Sequence, residues 1–285
     1  MHAPLATFLF TLLALFSFAG NSLLCRFALR ETTISPMLFM QVRFLSGAIA
    51  LLIVLRIGNP TQSRAGQPTK IGGNWWAGLA LAAYAVSYTY SFTQLTAATG
   101  ALLLFGAAQV TILTTAAARG ERFRGLAWLG YALAMGALLY LVLPGLASPT
   151  WVGTVSMLIA GISWGAYTLL GKRDPNPLAA NTGNFLRTLP LLAVTLLVPN
   201  LLQGWNWPGI TAAIVSGVVT TGIGYVLWYQ ALRSISTTMA AIVLLTVPLW
   251  SSLGGILFLS ELLTLRFVLA AVVMTIGLLI TIYRK

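Results

Sequence analysis

Charge is scarce in this chain. Only 7% of its 285 residues are Asp, Glu, Lys or Arg, while 58% are hydrophobic and the mean hydropathy is +0.90. Soluble domains carry about 25% charged residues. Four acids, one histidine at position 2 and one cysteine, Cys25, leave little for catalysis. A lone cysteine excludes an internal disulfide and, without partners, a metal site. A histidine confined to the chain start excludes a histidine proton relay. No G-x-x-x-x-G-K-[ST] stretch occurs, which excludes an ATP-driven pump built on a phosphate loop. The residues thus imply no metal, no cofactor and no catalytic group. A membrane-embedded lipid-modifying enzyme would need such a constellation and becomes the weakest reading.

What is present is apolar length. A helix needs about 20 residues to cross a bilayer, and ten runs of roughly that length follow one another: 5–24, 35–55, 74–94, 97–118, 125–143, 151–171, 178–199, 209–231, 237–258 and 263–283. The short alternating segments of a membrane β-barrel are absent. The first run does not read as a cleavable leader, because no basic segment precedes it and 21–26 offers no small-residue cleavage site. The net charge of +12 is a topology signal and not a nucleic-acid footprint. With a cytoplasmic N-terminus and ten crossings, Arg56, Arg64, Lys70, Arg119, Arg122, Arg124, Lys172, Arg173, Arg233, Arg284 and Lys285 fall inside. Only Arg26, Arg30 and Arg266 fall outside. That asymmetry is the positive-inside rule and predicts both termini in the cytoplasm.

The chain also repeats itself. "SFAGNSLLCR" from Ser17 aligns with "SWGAYTLLGK" from Ser163, and "RFL" at Arg43 with "NFL" at Asn184. Pro36 opens the second run and Pro177 the seventh, near the first helical position where a missing N–H is harmless. "NWW" at Asn74 returns as "NW" at Asn206, and Tyr88 matches Tyr225. The expected fold is an all-α polytopic membrane protein of ten transmembrane helices, as two five-helix repeats, 1–146 and 147–285. Five crossings per copy is odd, so the copies run in opposite directions, an architecture of many secondary transporters with the substrate site at the repeat interface.

Each repeat ends with a small-rich helix, then a glutamate, then a glycine-containing helix. In the second copy this is "LTVPLWSSLGGILFLSE", ending at Glu261. With the ten short helices and the doubled unit, this resembles the EamA type of the drug/metabolite transporter superfamily over essentially the whole chain. The first copy departs from the motif, with Ala108 where the second has Pro248. The aromatic interior is similar to that of the family's bacterial aromatic amino acid exporters. The resemblance implies a multi-pass protein of the bacterial inner membrane that moves a small solute by alternating access.

Aromatic and polar side chains in the middle of apolar runs locate the candidate site. "YAVSYTYSFTQ" places Tyr84, Tyr88 and Ser91 on one helical stripe. The eighth run adds Tyr225, Trp228 and Tyr229. Phe18 and Asn21 in the first run answer Trp164, Tyr167 and Thr168 in the sixth. Gln109 and Thr246, mid-run in the fourth and ninth, are candidates to bond the polar end of a ligand, though such residues also serve as interhelical glue. Together these thirteen suit a cavity for a small-molecule aromatic substrate, where ring contacts add about 0.5–1.5 kcal/mol each and a ligand ammonium can rest over a ring. Trp75, Trp76, Trp205 and Trp207 lie at run ends and read as interfacial anchors.

Arg43 and Arg187 fall inside runs, where they either snorkel to an interface or face a carboxylate or phosphate. Several converging cations would instead favour an organophosphate or nucleotide-sugar exchanger. Mid-run Pro190 and Pro248 are candidate hinges. Glu121 and Glu261 lie at run ends near Arg119, Arg122 and Arg266, and no acid sits mid-run, which points to a facilitator and not a proton-driven carrier. Besides the bilayer, the residues name no macromolecular partner and leave monomer and homodimer both open.

Overall fold

The computed structural model describes residues 3–58, 71–120, 125–143, 149–171, 176–197, 204–232, 234–235 and 243–283. Glu121, Asp174, the bases of the 59–70 and 172–175 segments, and the start of the ninth run at 237–242 lie outside the described residues. Among the described residues the chain is helical throughout, as ten rods. They are α1 (Ala3–Glu31), α2 (Pro36–Gly58), α3 (Trp75–Ser91), α4 (Ala97–Ala118), α5 (Leu126–Val142), α6 (Trp151–Gly171), α7 (Pro177–Ala193), α8, α9 (Val247–Leu259) and α10 (Leu265–Tyr283). A short 3-10 turn, Val194–Leu197, continues α7. α8 joins Trp207–Val215, a π-wound segment Ser216–Ile223 and Gly224–Leu232. Six stretches, in α1, α2, α4, α6, α8 and α10, are long and apolar enough to cross a membrane.

The repeated asparagines have a local cause. A helix start leaves several N–H groups without a partner, and a side-chain oxygen at the cap satisfies one. Asn74 accepts from Ala77 N and Asn206 from Gly209 N, so both "NW" copies are helix caps followed by an outward tryptophan. Trp75 and Trp207 are indeed well exposed, as interfacial anchors must be. Asn176 does the same for α7, with Pro177 in the first turn. Glu261, in the link between α9 and α10, closes a fourth helix start: its two carboxylate oxygens lie 3.0 and 2.9 Å from the Ala97 N–H at the head of α4.

The exterior is apolar, unlike that of a soluble protein, and the mostly apolar interior also takes in polar side chains. Leu5, Phe8, Ile57, Leu197, Phe258 and Leu262 are exposed, whereas Tyr88, Thr182, Thr188 and Ser216 are buried. An apolar outside is the face a bilayer requires. The helix pairs in closest association are α5 with α10, α3 with α6, α4 with α6, α2 with α8, α1 with α8 and α9, α3 with α7, α2 with α7, and α4 with α9. Without a hydrophobic drive inside lipid, such pairs approach through small residues. A Cβ on Gly130 of α5 would stand 2.5 Å from Gly277 O of α10, and one on Gly277 would stand 2.6 Å from Gly130 O. At the α2–α8 crossing, a Cβ on Gly217 would meet Ser46 Oγ at 2.1 Å and Arg43 O at 2.3 Å.

Several elements end earlier than the apolar runs suggest. α7 stops at Ala193 where the run continues to 199, and α9 begins only at Val247. Val243 and Leu244 are helical and Leu245–Thr246 form a turn between them and α9, with Thr246 Oγ1 bonded to Val243 O at 2.6 Å. Pro248 therefore sits in the first turn of α9 and not in mid-helix, and its missing N–H interrupts nothing. Pro190 does lie inside its helix, one turn before α7 ends.

The glycine crossing at α2–α8 makes a stability prediction. Gly217→Ala forces two backbones apart and should cost about 1–3 kcal/mol, read as a lower melting temperature of the purified protein. Gly136→Ala, where an added Cβ meets nothing within 4 Å, should be neutral or slightly stabilising, as alanine is the better helix former. Equal melting of both variants would contradict the tight crossing.

A candidate binding cavity

Seven helices converge on one internal cavity of about 30 Å³. α1 contributes Phe18, Asn21 and Ser22, α2 Arg43, and α3 Leu81, Tyr84 and Tyr88. Leu104 and Phe105 come from α4, Trp164 from α6, Phe185 from α7, and Thr220, Thr221 and Tyr225 from α8. That space admits about two waters, since one needs roughly 10–15 Å³. It is far too small for an aromatic solute.

The walls divide into a polar side and an aromatic side. On the polar side Asn21 is the hub. Its Nδ2 donates to Tyr88 OH at 3.0 Å, and its Oδ1 accepts from Ser216 at 2.7 Å and Thr220 at 3.3 Å. Ser22 Oγ also reaches Tyr88 OH, at 3.3 Å. Ser216 and Thr220 are four apart and share a face of α8, and the π winding brings Tyr225 round to the same cavity. Gly224 N–H donates to Val219 O, five residues back, and an i→i+5 turn brings residues five apart, such as Thr220 and Tyr225, toward one face.

Arg43 stands at the inner end of this polar side. It is only 3% exposed, so it does not snorkel. Its Nη2 donates to Tyr84 OH at 3.2 Å, and its guanidinium lies 4.9 Å from the Tyr88 ring centroid, 5.4 Å from Phe44 and 5.8 Å from Tyr84. Aromatic faces attract a cation at this range. Phe44 in turn stacks on Phe185 at 5.2 Å, joining the two "FL" copies across the molecule.

The aromatic side is a run of edge-to-face contacts. Phe105 meets Trp164 at 5.5 Å, Trp164 Nε1 donates to Tyr225 OH at 3.3 Å, and Tyr225 meets Phe18 at 5.9 Å. Phe18 and Trp164, matched positions of the doubled sequence, thus face one space, as do Tyr88 and Tyr225.

The structure brings together Phe18, Asn21, Tyr84, Tyr88, Trp164 and Tyr225 from the expected set. It takes others away. Ser91 is fully buried at the end of α3, bonded to Tyr88 O at 2.8 Å and to Met157 Sδ at 3.5 Å. Tyr167 bonds Asn181 of α7, outside the cavity. Thr168 turns outward and closes on Trp164 O at 2.8 Å. Trp228 packs behind Phe18 at 5.9 Å. Gln109 is buried in α4 and Thr246 lies in the turn before α9, and neither lines the cavity. The side chain of Tyr229 lies outside the described residues.

Arg187, left open by its place inside a run, is not among the cavity's lining residues. Its Nη1 donates to Gly72 O at 2.7 Å, fastening the chain before α3 onto α7. Ser22, one residue on from Asn21, does line the cavity, and Leu81, Leu104, Phe105, Phe185, Thr220 and Thr221 are the lining residues that helical periodicity missed; adjacent threonines inside an apolar run were the available signal.

One further polar cluster lies away from the cavity. Arg26 Nε pairs with Glu261 Oε1 at 3.1 Å, and Arg26 Nη1 donates to Phe92 O at 3.1 Å. Arg266, the neighbour in sequence, instead donates its Nε to Tyr140 O at 3.0 Å and its Nη2 to Leu143 O, at the end of α5. A cation there complements the carbonyl end of the helix. Glu261 thereby ties α1, the α3–α4 link and the α9–α10 link into one knot.

Comparison with known proteins adds a family signal. Residues 151–283 match the model of the EamA-like transporter family. The uncharacterized protein PA1977 of Pseudomonas aeruginosa is 44% identical, over 90% of this chain and 87% of its own length. An uncharacterized transporter of Archaeoglobus fulgidus is 27% identical over 64% of this chain and 67% of its own, and the uncharacterized transporter YwfM of Bacillus subtilis 26% over 89% and 86%. A protein of known crystal structure superposes with a TM-score of 0.62, covering 96% of this chain and 95% of its own at 17% identity, a likeness of fold alone.

The cavity rings make a direct prediction. Trp164→Ala removes one ring contact of about 1 kcal/mol from the aromatic wall and should weaken binding of an aromatic probe such as 3-phenylpropionate roughly fivefold. Tyr88→Ala should weaken it indirectly, because its hydroxyl bonds Asn21 and its ring faces Arg43. Trp75→Ala should leave binding unchanged, because that ring is 59% exposed. Equal losses in all three variants, measured by equilibrium binding to the purified protein, would make the rings packing elements only.

Proposed function

The chain belongs to the EamA-like transporter family of the drug/metabolite transporter superfamily, and on that premise we propose that it is a secondary transporter exporting aromatic amino acids and related aromatic solutes. Its helices make it a multi-pass membrane protein. The observation that carries the substrate reading is the aromatic wall of Phe18, Phe105, Trp164 and Tyr225 opposite a polar wall centred on Asn21. Ligand sites of this kind are mostly apolar, with a few polar groups to orient the solute.

We place the protein in the bacterial inner membrane with both termini in the cytoplasm, following the distribution of its bases. Ten crossings as two inverted copies, 1–146 and 147–285, are part of the same reading. Exchange of α1–α5 for α6–α10 supports it: the α1–α8 pair maps onto α6–α3, α2–α8 onto α7–α3, and α1–α9 onto α6–α4, while α2–α7, α4–α9 and α5–α10 map onto themselves. A cavity of about 30 Å³ is a closed form, so loading requires the halves to part. The π segment of α8, Pro190 inside α7 and the turn before Pro248 are the places where the rods can bend.

An organophosphate exchanger is the less suited reading, since Arg43 is the single cation among the lining residues. Those residues also include no carboxylate and no histidine, the groups that proton-coupled carriers load and unload in alternation with substrate. Transport is accordingly facilitated diffusion down the solute gradient. Proteoliposomes without a pH or voltage gradient should exchange labelled tryptophan or phenylalanine, with little change in rate between about pH 6 and 8. Strict dependence on an imposed proton gradient would overturn the facilitator reading.

A further inference from the structure

Within the aromatic class proposed above, on which this step rests, the cavity's charge is specific. Arg43 has five N–H donors. One engages Tyr84, while Nε and Nη1 are buried without a hydrogen-bond partner. Among the described residues the acids are Glu31 and Glu261. Glu31 is exposed at the end of α1, and Glu261 is taken by Arg26 and the head of α4. A fully buried cation with no acid beside it is an expensive arrangement, and a guanidinium pairs best with a planar, two-oxygen anion.

We infer that Arg43 is the anion-binding residue of the cavity and that the preferred solute is an aromatic monocarboxylate, recognised by its carboxylate at Arg43 and by its ring at Trp164, Phe105 and Tyr225. An ammonium has no comparable place. The ring faces of Tyr88, Phe44 and Tyr84 already hold the guanidinium. The acceptor oxygen of Asn21 is occupied by Ser216 and Thr220. A ligand cation would also sit within a few ångströms of Arg43 in a poorly screened interior. The zwitterionic amino acid is therefore tolerated, and the same skeleton without its amine binds better.

Four compounds of one skeleton test this: 3-phenylpropionate, phenylalanine, 3-phenylpropanol and phenethylamine. Each is titrated directly onto the full-length protein in nanodiscs by calorimetry. The expected order places 3-phenylpropionate at least about tenfold above phenylalanine and the alcohol, the gap that one favourable charge contact of about 1.4 kcal/mol gives, with phenethylamine weakest. Arg43→Gln should bring the four within about twofold of one another, and Arg43→Lys should retain the preference for the acid. Phenylalanine or the alcohol binding as tightly as 3-phenylpropionate overturns the inference while leaving the aromatic reading intact. An unchanged order in folded Arg43→Gln does the same. Should that variant not fold, the wild-type series and Arg43→Lys still decide, because loss of the acid preference in Arg43→Lys with wild-type folding would mean the charge is not what is read. If none of the four binds the folded wild type, the aromatic reading itself fails.

Discussion

A guanidinium held out of water between two halves of a helix bundle is the constraint around which this structure is organised. Arg43 leaves the exterior of α2 apolar, as lipid requires, and carries its charge inward. Keeping it there takes three supports. The rings of Tyr84, Tyr88 and Phe44 offer their faces. The Tyr84 hydroxyl accepts one N–H. The Gly47–Gly217 crossing lets α8 press against the backbone of Arg43 itself.

The same demand explains why α8 is wound differently from its neighbours. Thr220 must reach Asn21 while Tyr225, five residues on, must turn to the same cavity and meet Trp164. A regular α-helix turns residues five apart to different sides; the π segment swings them together. The wider turn is less stable than an α-turn, and it is placed beside the cavity that has to enlarge. One turn along α1 from Ser22 the Arg26–Glu261 pair does the opposite work, joining α1, the head of α4 and the α9–α10 link through one carboxylate.

Much of this was readable in the residues, and the misses have physical causes. The helices followed from apolar length, and both copies of the doubled "NW" are a helix cap followed by an exposed tryptophan. The aromatics Phe18, Tyr84, Tyr88 and Trp164 reached the cavity from rods wound as regular α-helices, whereas Tyr225 reached it through the π segment of α8. Ser91 failed because α3 ends there. Thr246 failed because the ninth run is broken at a turn that hydropathy does not register. Tyr167 lies just off the Trp164 face and found Asn181 of α7 instead. The fate of Arg43 was open because a long side chain two turns inside a helix can reach either way; the close approach of α8 and the facing rings decide it. Glu261 was matched to Arg266 by chain proximity, yet its partner is 235 residues away.

The central claim is that the Asn21–Arg43–Trp164 space is where the solute binds. Thr221 lines that space and is buried. The most direct measurement is thiol labelling of Thr221→Cys in a Cys25→Ala background, reconstituted in membranes, with and without an aromatic acid present. The account predicts that a small polar thiol reagent modifies Cys at this position as the halves open, and that the aromatic acid protects it in a saturable way. Labelling that the solute leaves unchanged, or no labelling in protein shown to exchange solute, would contradict it.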